Sequence, residues 1–198
     1  MSPLHRERLL RRGLALEYTT LGWNVVGVVI LAIAALGARS VALASFGLDS
    51  LVEIGASTVV VWELTDTAAG RERLALRLIG SSFFAIAAYV AAQASYLLVV
   101  GDRPHRSYLG IAWTALTLLV MLALAYGKAR TGKALDNAVL RTEGRVTLVD
   151  AYLAGAVLVG LSLNAAFGDW WADPAAGFVI VAYGIVEGRA ALREARVH

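Results

Sequence analysis

The sequence predicts an all-α membrane protein of six transmembrane helices with both termini cytoplasmic. Three observations carry this. The 198 residues are 59% hydrophobic and only 17% charged, with a mean hydropathy of +0.67, whereas a soluble domain carries nearer a quarter charged residues. Six apolar runs, each long enough to cross a bilayer, follow one another with short polar breaks. Finally, fifteen of the 18 Lys and Arg residues fall on one side of such a six-pass topology, and the positive-inside rule makes that side cytoplasmic.

Each element follows from this pattern. Residues 1–13 form a short cytoplasmic arm with Arg6, Arg8, Arg11 and Arg12, ahead of a six-helix domain over residues 14–191 and a tail over 192–198. The first helix runs from Leu14 to Ala38. It is too long for the core of a cleaved signal peptide, and no small-residue cleavage site follows, so it is expected to be retained. The tight turn at Arg39-Ser40 returns the second helix, Val41 to Leu64, antiparallel to the first. A polar loop from Thr65 to Arg73 precedes the third helix, Leu74 to Val100, and the fourth spans Tyr108 to Tyr126.

The longest connection is expected from Gly127 to Glu143, with Lys128 among its topology-setting cations. The fifth helix spans Gly144 to Phe167. Pro174 opens the sixth, which ends near Ala191; Asp173 just before it suits the cap of that helix. Only about seven residues follow, so no cytoplasmic domain is expected, and function is expected to lie within the membrane.

The composition excludes several classes. There are no cysteines, hence no disulfide, thiolate metal site or Cys nucleophile. His5, His105 and His198 lie in the termini or a loop, and no nucleophile–base pair is evident, so an enzyme is not expected. The net charge of +3 reflects membrane topology rather than nucleic-acid binding.

The informative residues are acids inside apolar runs. Asp49 and Glu53 are four apart, on one face of the second helix and near its middle. An intramembrane carboxylate costs about 2.5–3.5 kcal/mol on insertion scales, so two on one face mark a place for something positive. On the fifth helix Asp150 lies at a depth where it can meet Glu53. Asn24 sits mid-way along the first helix, with Glu17 on its face seven residues earlier. Glu143 shares the face of Asp150 near the water interface; it reads first as a solvated helix-end acid, second as an entrance residue or ligand. Thr147 is expected to bond its own helix backbone, Gln93 to tie helices together and Arg145 to snorkel. Inward-facing oxygen ligands suit a divalent cation, and metal binding to such acids releases protons.

The stretch from Ser40 to Glu53, Ser-Val-Ala-Leu-Ala-Ser-Phe-Gly-Leu-Asp-Ser-Leu-Val-Glu, resembles the second-helix signature of the cation diffusion facilitator family. Asn24, the run Asp150-Ala-Tyr-Leu-Ala-Gly and the Asp173-Pro174 opening of the sixth helix are similar to that family's elements, and the likeness covers essentially the whole chain. It implies a proton-coupled exporter of a divalent metal, usually zinc, often a homodimer, with Asp49, Glu53 and Asp150 as ligands and no cofactor besides the transported ion. Two departures stand out: Val146 occupies the place where zinc members carry His, and the usual cytoplasmic metal-binding domain is not expected. A carboxylate-dominated site accommodates manganese or iron(II) as well as zinc. The competing expectation is a non-transporting scaffold or regulatory subunit that keeps the bundle. The Arg- and Ala-rich composition points to a plasma-membrane location, with lipid, metal ion and protons as partners.

Overall fold

The computed structural model describes residues 3–65, 71–101 and 103–197. They form six helices, with no strand among the described residues: α1 (Pro3–Ala38), α2 (Val41–Thr65), α3 (Arg71–Val100), α4 (Tyr108–Leu135), α5 (Ala138–Phe167) and α6 (Ala172–Val197). All six contain a stretch long and apolar enough to cross a membrane.

The helices outrun the hydropathy. α1 begins at Pro3 rather than Leu14, so the described part of the arm is helix, carrying an i,i+4 ion pair in which Arg11 Nη2 meets Glu7 Oε1 at 2.7 Å. At about 1.5 Å per residue its 36 residues reach about 54 Å, well past a hydrocarbon core of about 30 Å. α4 continues to Leu135 and α5 starts at Ala138, so most of the expected 127–143 loop is helical. Two residues make the turn. Asp136 takes the left-handed conformation (φ 52°) and ends α4, and Asn137 Oδ1 accepts the Leu140 amide at 2.7 Å as the cap of α5. Lys, Arg and Ala are good helix formers and keep the chain helical once the apolar run stops. α6 likewise starts two residues before Pro174 and includes most of the basic tail. Of the expected 65–73 loop, residues 66–70 lie outside the described residues, and α3 already begins at Arg71.

α2 is the hub, packing against α1, α3, α5 and α6, while α4 lies along α5 and α1, and α3 along α6. Its apolar window is half buried, more than that of any other span. The bundle is unlike at its two ends. Near the α1–α2 turn the core is dry: Leu31, Leu43, Phe46, Leu153, Val157 and Leu161 pack into one apolar cluster. That end is also tied by polar groups. Asp173 does not cap its own helix from outside; it lies in the first turn of α6 and accepts the Val41 and Ala42 amides at 3.0 and 3.2 Å, capping α2 instead. Ser40 Oγ donates to the same carboxylate. Asn164 Nδ2 donates to the Pro104 carbonyl at 3.1 Å.

Candidate metal centre

Beyond Phe46, towards the end that holds the termini, polar side chains replace the apolar core. α2 and α5 run antiparallel, and their inward faces form three rungs. At the first, the carboxyl of Asp49 stands beside that of Asp150. Glu53 Oε1 accepts from Thr147 Oγ1 at 2.8 Å. Ser57 Oγ donates to Glu143 Oε1 at 3.0 Å. Positions 49, 53 and 57 are four apart, and 143, 147 and 150 are four and three apart, the spacings that put helical side chains on one face. The ladder climbs eight residues of α2, about 12 Å.

All six rung residues are buried. The deepest rung differs from the others, because no hydrogen-bond donor among the described residues reaches either Asp150 oxygen. A carboxyl facing a carboxyl in a dry interior holds together only through a shared cation, a metal ion or a proton.

The ladder ends on a residue that the sequence did not single out. Lys128, on the part of α4 expected to be loop, is fully buried. Its Nζ lies 3.0 Å from Glu17 Oε2 on α1 and 3.2 Å from Glu143 Oε1, and donates to Thr147 Oγ1 at 3.0 Å. One ammonium thus joins α1, α4 and α5, and through Thr147 it bears on Glu53 of α2. Thr147 does not bond its own helix backbone as expected; its hydroxyl bridges Lys128 and Glu53. The available signal was the face shared by Glu143, Thr147 and Asp150. Nothing in the sequence near Lys128 announced its burial.

The expected site residues are therefore placed as follows. Asp49, Glu53 and Asp150 are buried along one ladder, and Asp150 interacts electrostatically with both of the others. Glu53 is turned to Thr147, and among the described residues no three of His, Asp and Glu close on one point as a metal cage. Glu17 and Glu143 are buried partners of Lys128, Glu143 being no solvated helix-end acid. Asn24 is buried, with its Nδ2 donating to the Thr20 carbonyl of its own helix at 3.1 Å. Arg145 is exposed and donates to Thr142. His105 is exposed in the loop before α4, and His198 lies outside the described residues.

Six apolar spans enclosing buried carboxylates define a multi-pass membrane protein built to handle cations. The family model of the cation efflux transmembrane domain matches residues 69–197, and the chain belongs to that family. It is accordingly a metal cation efflux protein of the membrane. No curated protein matches the chain. The matched region holds Lys128, Glu143, Thr147 and Asp150, while Asp49 and Glu53 precede it.

Proposed function

We propose that the chain exports a divalent transition-metal cation, bound between Asp49, Glu53 and Asp150, in exchange for protons. The observation that carries this reading is the deepest rung, where Asp49 faces an Asp150 that has no donor. A divalent ion there would replace the proton such a pair must otherwise share, and this links metal uptake to proton release. The asymmetry of the bundle supports the direction: apolar packing closes one side of the rung, and polar rungs lead from it to the other. The Lys and Arg excess on the side of the termini supports reading that side as the cytoplasm, and the Arg- and Ala-rich composition supports a plasma-membrane location. Release follows as the helices rock about a mid-membrane site.

The donors are all oxygen, with Val146 on the neighbouring turn of α5 offering none. This set takes manganese(II) or iron(II) as readily as zinc. The metal is cargo, and the reading needs no resident cofactor. A homodimer fits the family resemblance and is tested by cross-linking in the membrane.

The test is flux into vesicles holding the purified protein, with Zn2+, Mn2+ and Fe2+ in turn and with and without a pH gradient. Asp49→Asn and Asp150→Ala should abolish flux while the protein stays in the membrane. Wild-type flux in Asp49→Asn overturns the ligand assignment. Flux indifferent to the gradient overturns proton exchange, and no flux of any metal by the wild type favours the non-transporting scaffold.

A further inference from the structure

The hydrogen bonds from Lys128 to Thr147 and from Thr147 to Glu53 have a fixed direction. An ammonium only donates, so the Thr147 oxygen must accept from it at 3.0 Å, and the one hydroxyl proton is left for Glu53 Oε1 at 2.8 Å. Both bonds are buried, where a bond of this kind is not weakened by competing water. Glu53 is thereby held to the rung of Thr147, one turn along α2 from Asp49. The same ammonium clasps Glu17 of α1 and Glu143 of α5, and Ser57 of α2 joins through Glu143. Four helices meet at this clasp, between the deepest rung and the end of the bundle that holds the termini.

We propose that Lys128, acting through Thr147, is a positioning device that withholds Glu53 from the transported metal and ties occupancy of the metal site to the clasp at the terminal end. This rests on the reading of Glu53 as a metal ligand. To ligate beside Asp49 and Asp150, Glu53 gives up the Thr147 hydroxyl. The hydroxyl then has another acceptor at hand, the carbonyl four residues back on its own helix, as buried threonines commonly use. Turning there takes it from Lys128, which keeps only Glu17 and Glu143. Metal arrival thus removes the link through Thr147 and leaves the Ser57–Glu143 bond as the tie between the clasp and α2, and that loosening lets the terminal end rearrange once the ion is bound. A latch that must open before binding lowers apparent affinity by the fraction of molecules already open.

Thr147→Val removes the hydroxyl and keeps the shape and charge. In vesicle flux assays with Mn2+, and with Zn2+ in parallel, it should lower KM about three- to tenfold, as expected when a closed latch no longer taxes binding. The maximal rate should not rise, and Thr147→Ser should restore the wild-type KM. A residue that merely packs would not lower KM when altered. An unchanged or raised KM in Thr147→Val overturns the proposal. Should Thr147→Val not fold, a second measurement decides. In the cysteine-free chain, Thr131→Cys places a thiol at a buried position on α4, one turn beyond Lys128. Mn2+ should speed its maleimide labelling, and labelling blind to Mn2+ overturns the proposal. Asp49→Asn separates the two levels. If it abolishes flux while Thr147→Val leaves KM unchanged, the latch alone fails; if it transports normally, the metal site fails first.

Discussion

Lys128 and Glu17 meet at 3.0 Å with neither side chain exposed. Removing an ammonium and a carboxylate from water costs several kcal/mol each, a cost recovered only where the geometry and additional partners are good. Here Glu143 and Thr147 supply partners for the ammonium, while the Glu17 oxygens have no hydrogen bond among the described residues. The ion pair is therefore a costly feature placed where α1, α4 and α5 converge, and its retention fits a task at that point better than simple cohesion.

The energetics of this pair give the first prediction. Lys128→Met leaves Glu17 and Glu143 buried without their cation, and breaking a buried pair from one side costs about 3–5 kcal/mol. The variant should melt well below the wild type in detergent. Adding Glu17→Gln and Glu143→Gln removes the stranded charges and should recover most of the loss. Melting curves of the single and triple variants decide; equal melting of Lys128→Met and wild type would show that the ammonium is not paired as described.

A second prediction concerns the opposite end. Asp173 accepts the first two amides of α2 and the Ser40 hydroxyl, so it holds the start of α6 to the start of α2. Losing a cap of this kind costs about 0.5–2 kcal/mol. Asp173→Ala should be the least stable, Asp173→Asn intermediate, since an amide oxygen still accepts. Because the contact lies across the apolar core from the acids, neither substitution should move KM for metal. Thermal stability in detergent beside flux kinetics tests both statements, and a shift in KM without a loss of stability would contradict the second.

What could be read from the chain, and what could not, divides along physical lines. The acids of α2 and α5 were legible because a carboxylate in an apolar run is costly and four-residue spacing fixes its face. The helix ends were not, because hydropathy reports where lipid stops rather than where the backbone stops being helical. Asp136 and Asn137, the residues that break the helix between α4 and α5, carry turn and cap chemistry that a polar, basic segment disguised. Lys128 was hidden for the same reason. Taken as loop, it is one more cation beside the membrane. Its burial depends on α4 continuing and on partners 15 and 19 residues ahead and far earlier in the chain. Asp173 shows the converse: its motif was visible, but the helix it caps was settled only by tertiary contact.

The third prediction uses two glycines of α5 as a matched pair. At Gly144 an added Cβ would stand 2.9 Å from the Ala129 backbone nitrogen and 3.2 Å from Lys128 Cβ, so α4 must move to admit it. At Gly155 the nearest atom is Leu118 Cδ1 at 3.9 Å, an ordinary contact. Overpacking of the first kind costs about 1–3 kcal/mol, whereas replacing an unneeded helix glycine by alanine gains about 0.5–1 kcal/mol. Gly144→Ala should therefore lower the melting temperature, and Gly155→Ala should leave it unchanged or raise it. The close approach at Gly144 is also what brings α4 near enough for Lys128 to reach Glu143 and Thr147. Gly144→Ala should then disturb flux kinetics as well as stability, while Gly155→Ala changes neither for the worse. Equal behaviour of the two variants would mean that the α4–α5 backbones are not in contact beside Lys128, and the clasp would lose its geometric basis.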